Sequence, residues 1–436
     1  MKKFLYSVFM LAVVVLAACS NDDNGDTQPK RGMTLNASVE NLSSRATMTD
    51  ESGTWKFAFA ENDQVSVSNS KITNYYTFTN NGSQFTCAQA EVTKEDADWY
   101  AYFPGNEVDL TNQTGNFADV ANKFVVAGGT AKATTGEKGL SIILKPKVAV
   151  LRVVAVDKKG ILDIHVKTAD GKWVKELTAT KDAADFTVST SDTKATLLQK
   201  AEGKVQAGEI NYVVVPAGVK IEIYNGDLLL NKTKDAGLTA GKYYTITSGP
   251  TKGTETALIK GVEKKINWVQ LWAGGPRFAT ENVADEMAWT EAAKKGSDYV
   301  WGANWRTPTA EEVTEKGGLQ AEWNTKEEKW VVKEGSPTIN VTTKDGIEKT
   351  VEFTGVQLGY TKNTLTLYNK VDDEEGSSNF WFWTTTKGIS DQYGSLFNIK
   401  IHEGKIYGFG IFPDNKEKKY LVRPVLSIQN ITNNKK

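Results

Sequence analysis

The side chains best placed to do chemistry fall in two stretches of the C-terminal third. The first, residues 301–312, holds two indoles, Arg306, and the pair Thr309 and Glu312. Thr309 and Glu312 have capping-box spacing, in which the hydroxyl accepts from a backbone N–H and the carboxylate accepts from the cap N–H. We therefore expect a helix to begin after Thr309, and Arg306 to pair with one of the glutamates that follow it. These residues are predicted to fix a strand to a helix.

The second stretch contains the candidate ligand-binding residues Trp381, Trp383, Asp372 and Asp373. The two tryptophans point the same way if they lie on a strand, so they face either the core or the solvent. An exposed indole can stack on the apolar face of a sugar. The two aspartates lie in an acidic loop whose oxygens suit Ca²⁺, although a solvated charged loop is the alternative. No metal site is assigned.

Catalytic chemistry has little support in the sequence. An active site needs a nucleophile, a base or a metal in a shaped cavity. The only two histidines, His165 and His402, fall in different halves of the chain. No phosphate loop, nucleophile elbow or zinc-protease pattern is present. We predict no catalytic residue, no cofactor and a non-enzymatic binding function.

The composition argues against one class of partner and indicates that the two halves of the chain differ. The 436 residues are enough for two or three domains. The net charge of -1 argues against nucleic acid as a partner, since that function favours a basic surface. Tryptophan is uneven, because 9 of the 12 lie from Trp268 onward. The two halves are therefore expected to be different domains.

The N-terminus has the pattern of a secretory signal over residues 1–18, with two lysines before an apolar run. It ends in Leu-Ala-Ala-Cys19, which resembles a bacterial lipobox and implies lipid attachment at Cys19. The alternative is an ordinary signal with an incidental cysteine. Residues 19–33 are polar and are expected to form a flexible tether. The acidic run after Cys19 resembles the export signal of Bacteroides surface lipoproteins, which implies an outer-membrane, surface-exposed location.

Residues 34–250 are predicted to be β-rich. Apolar residues alternate with polar ones in short runs separated by turn residues, a pattern typical of antiparallel strands. Predicted strands include 34–39, 64–67, 75–79, 99–103, 148–156, 212–216, 220–224 and 243–247. Regular short strands favour β-sandwiches, either one or two with a division near residue 140. The polar residues 251–265 are expected to be a linker.

Several motifs in this half resemble the fimbrillin family. They are Arg45-Ala-Thr, Trp55, residues 62–67, residues 212–217 and residues 238–246. The resemblance implies transthyretin-like β-sandwiches in a pilus subunit or minor adhesin. It also implies a proteolytic cut at Arg45, followed by donor-strand addition from another fimbrial subunit. Arg45 as an ordinary surface arginine is the alternative.

Residues 266–430 are predicted to form an α+β domain with helices at 284–295 and from Ala310 to about Lys316. The run Trp305-Arg-Thr-Pro-Thr-Ala-Glu-Glu and the later Leu421-Val-Arg-Pro-Val resemble the Fibrobacter major-protein domain. That resemblance implies a C-type lectin-like fold. The overall expected fold class is therefore mainly β, with transthyretin-like sandwiches followed by an α+β lectin-like domain.

The function predicted from these patterns is a surface-anchored fimbrial tip or accessory adhesin. Its expected partners are the outer membrane through a lipid anchor, other fimbrial subunits, and a host or bacterial glycan or a protein bound by the C-terminal head. Two alternatives stay open: a stand-alone glycan-binding lipoprotein, and a shaft subunit in which the extra domain is decoration.

Overall fold

The computed structural model describes residues 32–40, 59–88, 98–130, 139–157, 160–259, 261–281, 286–294, 304–315, 317–344, 348–355, 360, 362–368, 377–402 and 405–426. The predicted signal peptide, Cys19, nearly all of the tether, Arg45, Asp372 and Asp373 lie outside these residues.

The N-terminal half is built almost entirely from strands. In chain order they are β1 Met33–Val39, β2 Gln64–Asn69, β3 Tyr76–Asn80, β4 Phe85–Cys87, β5 Trp99–Phe103, β6 Glu107–Asp109, β7 Val126–Thr130, β8 Gly139–Pro146, β9 Val148–Val154, β10 Gly160–Thr168, β11 Trp173–Thr180, β12 Asp185–Ser191, β13 Leu198–Val205, β14 Ile210–Pro216, β15 Ile221–Asn225, β16 Leu228–Lys232 and β17 Tyr243–Thr247. Helix α1 covers Phe117–Lys123.

A closed barrel comes first, with hydrogen-bonded order β1-β4-β3-β2-β5-β7-β8. Strand β8 closes it by pairing with β1 in parallel. The alternating sequence of β8 explains its place, because Leu140, Ile142 and Leu144 point inward while the residues between them are exposed. Strand β6 leaves the barrel and pairs with β11.

Two further sheets follow the barrel. One has the order β12-β11-β10-β15-β16, with β13 on β10, and the other is β14-β9-β17. Strand β9 lies between β14 and the parallel β17, and it is almost continuously apolar because both of its faces are buried. Side chains from the barrel and both sheets join one hydrophobic core, which includes Leu35, Val150, Ile164 and Val213. Burial of this apolar surface is the main stabilising term for this half.

Within the described residues, the C-terminal half has smaller sheets and two short helices. Its strands are β18 Lys252–Ile259, β19 Val262–Gln270, β20 Arg277–Ala279, β21 Met287–Ala288, β22 Trp305–Arg306, β23 Ala321–Asn324, β24 Lys329–Val332, β25 Thr338–Lys344, β26 Glu348–Thr354, β27 Thr364–Tyr368, β28 Ser377–Lys387, β29 Tyr393–His402, β30 Lys405–Asn415, β31 Lys419–Tyr420 and β32 Val425–Leu426. Helix α2 is Trp289–Ala292 and helix α3 is Ala310–Thr314.

The strands described in this half form five sheets. They are β18-β19-β20-β32-β22, the pair β21-β31, the hairpin β23-β24, β25-β26-β27 and β28-β29-β30. The predicted mainly-β fold class is confirmed, while the lectin-like assignment of this half stays a prediction.

Two expectations about this region were wrong. Residues 251–265 are not a linker, because β18 pairs along its whole length with β19. The helix expected at 284–295 is reduced to the single turn α2 within the described residues. Just before it, Met287 and Ala288 are extended and pair with Tyr420 and Lys419. Pairing with a distant strand satisfies these backbone groups and overrides the local helix propensity.

The two halves are in direct contact. The backbone N–H of Gly274 donates to the carbonyl of Val156 at 2.8 Å, and Gln270 Nε2 donates to the same carbonyl at 3.2 Å. Buried Arg277 lies 3.4 Å from Asp157. The first strands of the C-terminal half are therefore fixed directly to the end of β9.

Candidate functional sites

Strand β1 is held in the N-terminal barrel between two other strands. It lies between β4, which it pairs antiparallel, and β8, which it pairs in parallel. Its Leu35 side chain is fully buried in the core, as is nearly all of Met33. Without β1, the edges of β4 and β8 would present unpaired N–H and C=O groups, which accept another strand. The predicted cut at Arg45 would fall six residues after Val39.

The stretch around Thr309 forms the predicted capping box. Glu312 N donates to Thr309 Oγ1 at 3.1 Å, and Thr309 N donates to Glu312 Oε2 at 2.9 Å. Arg306 Nη1 donates to the same carboxylate at 2.7 Å, and its Nη2 contacts the other oxygen. The predicted pairing of Arg306 is confirmed, with Glu312 as the partner. The local spacing was sufficient because every contact joins residues within one turn of the helix start.

Trp305 and Arg423 also have structural positions. Trp305 is buried, and its Nε1 donates to the carbonyl of Thr256 at 3.1 Å. Arg423 is equally buried, with Nη2 donating to the carbonyl of Thr366 at 3.1 Å. Both side chains join distant strands through backbone carbonyls. Neither is exposed to a soluble ligand.

The Glu312 carboxylate makes the stability of this region depend on pH. Burial raises its pKa, but hydrogen bonds from Arg306 and the Thr309 N–H outweigh burial, so the pKa lies below the ordinary value of 4.5. A lowered pKa in the folded state stabilises the protein above the unfolded pKa, and this stabilisation is lost as pH falls through the folded pKa.

We expect Glu312→Gln to lower the free energy of unfolding at pH 7 by about 2 kcal/mol, the scale of hydrogen bonds to a charged group. The difference from the parent should shrink as the pH falls below about 4.5. Urea unfolding at pH 7 and pH 3.5 measures it. Glu311→Gln, one residue away and exposed, is the matched control. An equal loss at both pH values would contradict the assignment.

The two tryptophans predicted to share a face are buried to different degrees. Trp383 is fully buried, and its Nε1 donates to the carbonyl of Met287 at 2.9 Å. Trp381 is only partly buried and packs edge-on against Tyr420, with ring centroids 5.1 Å apart. The pair therefore faces inward, which is the core alternative that the sequence left open. The Trp383 indole cannot receive a sugar from solvent in this arrangement.

A different tryptophan pair lies at the surface, and it was not among the ligand-binding residues predicted from the sequence. Trp323 on β23 and Trp330 on β24 are cross-strand partners whose rings lie 6.2 Å apart, edge to face. Trp323 is 46% exposed, whereas Trp330 is partly buried against the core. The signal was available, because the two tryptophans flank the polar run 324–329, a hairpin pattern.

An open groove of about 700 Å³ lies beside this hairpin. Strands β24, β25, β26 and β30 supply its walls. Its apolar lining comes from Trp330, Ile339, Val341 and Ile406, while Glu352 and Lys405 add charged groups. An apolar wall with a few polar groups is the usual composition of a ligand site.

The histidines do not meet in the fold. His165 Nδ1 lies 2.8 Å from the carbonyl of Ala195, and its Nε2 lies 2.9 Å from Asp163. His402 is exposed on β29 in the other half. Among the described residues, no group of three or more His, Cys, Asp or Glu side chains is placed to hold a metal ion. Those residues also contain no helix with the length and apolar character needed to cross a membrane.

No family model and no curated protein matches the chain. Several solved structures are similar at low identity. A fimbrial protein from Bacteroides ovatus is 11% identical, with a TM-score of 0.23, and the match covers 91% of this chain and 99% of that one. A fimbrial assembly protein from Parabacteroides distasonis is 10% identical, with a TM-score of 0.25, covering 55% of this chain and 94% of that one.

A third similar structure is a candidate cell adhesion protein from Bacteroides uniformis. It is 13% identical, with a TM-score of 0.30, and the match covers 55% of this chain and 98% of that one. At these identities and TM-scores, the fold of the chain rests on its own strands and core, as described above.

Proposed function

We propose that the chain is a non-enzymatic surface adhesin that associates with fimbrial subunits and presents its C-terminal half as a glycan-binding head. The observation that carries the proposal is the exposed indole of Trp323 beside the open groove at Trp330. An indole face suits the C–H bonds of a sugar ring, and the groove beside it has an apolar lining with a few charged groups, as ligand sites usually do.

The assembly part of the proposal rests on β1. In our proposal, lipid at Cys19 holds the precursor at the outer membrane, and a cut at Arg45 releases β1 from the barrel. A strand from another fimbrial subunit then occupies the place between β4 and β8. The burial of Leu35 and the ladders on both sides of β1 support this view. Removal of β1 would leave an apolar pocket in place of Leu35 and two strand edges with unpaired backbone groups.

A tip or accessory position follows if the C-terminal half is a binding head. Immunogold labelling of isolated fimbriae tests this position. Labelling at fibre ends supports it, whereas labelling along the whole fibre identifies a shaft subunit. Surface labelling with no fibre association would support the stand-alone glycan-binding lipoprotein instead. Mass spectrometry of the mature surface protein that finds residues 19–45 intact would reject the processing step.

Binding by the head is tested with Trp323→Ala in the full chain on a glycan array. We expect at least about a tenfold loss of affinity for whichever glycan binds the parent, since one lost stacking contact is worth about 1.4 kcal/mol. The melting temperature should fall only slightly, because Trp323 is 46% exposed and loses one edge-to-face contact with Trp330. Ile389→Ala, which removes an 86% exposed side chain elsewhere, is the control. Undiminished binding by Trp323→Ala would reject this site.

A further inference from the structure

A second cleft, distinct from the groove at Trp330, lies where β18, β19 and the start of β27 meet. Its volume is about 380 Å³. Trp268 forms its floor and is nearly buried, at 5% exposed. The indole lies against Gly253, where an added Cβ would come within 2.9 Å of the ring. The guanidinium of Arg277 lies over the Trp268 ring, 5.0 Å from the ring centroid. The floor is therefore held rigidly from neighbouring strands.

Two lysines line this cleft, and neither forms an ion pair with another residue that the structure describes. Lys252 and Lys362 are both exposed, and no aspartate or glutamate is among the residues that line the cleft. Lys362 reaches the cleft because its neighbour Asn363 is held there, with Nδ2 donating to the carbonyls of Gln270 at 2.8 Å and Thr251 at 3.4 Å. Two like charges beside one cleft create a positive potential, which an anion would neutralise.

The other polar groups of the cleft are uncharged. They come from Thr254, Thr280, Thr364 and Asn267. Thr254 Oγ1 donates to Asn267 Oδ1 at 2.7 Å, which leaves the Asn267 amide N–H groups as donors for a ligand. Hydroxyl and amide groups beside two cations match a ligand that carries both hydroxyl groups and a negative charge.

We propose that this cleft binds an acidic sugar residue, with its carboxylate or sulfate between Lys252 and Lys362 and its hydroxyl groups against Asn267 and the threonines. The proposal rests on the glycan-binding function proposed above and adds the class of sugar. Trp268 supplies an apolar floor, while the lysines supply the charge selectivity. An acidic peptide is the competing ligand, but the small cleft with its ring of hydroxyl groups favours a sugar.

The test compares the full chain with the double variant Lys252→Gln/Lys362→Gln. The probes are oligogalacturonate, a sulfated heparin oligosaccharide, a neutral malto-oligosaccharide and a poly-glutamate peptide. We expect an acidic oligosaccharide to bind, and the double variant to lose at least about tenfold in affinity, the effect of losing one charged hydrogen bond. Binding of the parent should weaken as salt is raised. Oligogalacturonate carries carboxylates alone, so its binding would show that carboxylates are sufficient, whereas binding of the heparin oligosaccharide alone would show that sulfate is required.

The matched control is Lys204→Gln/Lys234→Gln, which removes the same charge from exposed positions in the other half. It should bind like the parent. The acidic-sugar proposal is overturned if the double variant keeps full affinity, if the neutral probe binds as well as the acidic ones, or if poly-glutamate competes equally. Neutral binding that is lost in Trp323→Ala but unaffected by the lysines would overturn this inference alone. Absence of binding to every glycan would overturn the glycan-binding function as well.

Discussion

Replacing Trp383 with alanine should lower the free energy of unfolding by about 3–5 kcal/mol, the cost of removing a large buried aromatic side chain. The indole is fully buried between β28 and the residues of β21 and β31. Its removal leaves a cavity and also deprives the Met287 carbonyl of its 2.9 Å donor. The cavity and the unpaired carbonyl lie on the same side of the core, so neighbouring side chains have little freedom to move in and offset either loss.

The matched control is Trp381→Ala, two residues away on the same strand. Trp381 is partly buried and its contact with Tyr420 is edge-on, so we expect a loss of about 1–2 kcal/mol. Guanidinium denaturation followed by circular dichroism compares the two variants with the parent. Equal losses, or a Trp383→Ala protein as stable as the parent, would contradict the assignment of Trp383 to the core.

A chain that begins at Ala46 should lose the stable barrel and regain it when a peptide of residues 32–40 is added. The truncation removes β1, with its buried Leu35 and Met33, and breaks its ladders to β4 and β8. Full burial of each such side chain is worth about 1.5–3 kcal/mol, and the exposed edges would favour self-association. The added peptide should raise the melting temperature and restore a monomer in size-exclusion chromatography.

The control for this experiment is the same peptide with Leu35→Asp. It keeps the backbone donors and acceptors of β1 but places a charge in the apolar pocket that Leu35 fills. Burial of a charge without a partner is strongly unfavourable. It should therefore fail to restore the barrel. A truncated chain that melts like the parent and ignores both peptides would show that β1 is dispensable, and the strand-exchange proposal would lose its physical basis.

Features that depend on neighbouring residues could be predicted from the sequence. The capping box of Thr309 and Glu312 needs only the geometry of one helical turn. The strands at 34–39, 64–67 and 212–216 follow from alternating or continuous apolar runs, and the structure places β1, β2 and β14 there. The predictions on Cys19 and Arg45 are of another kind, since they concern processing and lie outside the described residues.

Features that depend on distant residues could not be predicted in this way. A strand pattern shows that Trp381 and Trp383 share a face, but only the packing of β28 against β21 and β31 decides that this face is buried. The helix expected at 284–295 was shortened because β31, more than 120 residues later in the chain, pairs with Met287 and Ala288.

The groove at Trp330 and the cleft at Trp268 could not be predicted for the same reason, because each is lined by residues far apart in the sequence. Nothing near Lys252 in the sequence indicates Lys362, which reaches the cleft because Asn363 is bound to Thr251, just before β18, and to Gln270 at the end of β19. The sequence by itself determined strands such as β1, β2 and β14 and the capping box, because these follow from local spacing. The tertiary structure alone decided which tryptophans are exposed and which lysines line one cleft, because those outcomes depend on pairing between residues far apart in the chain.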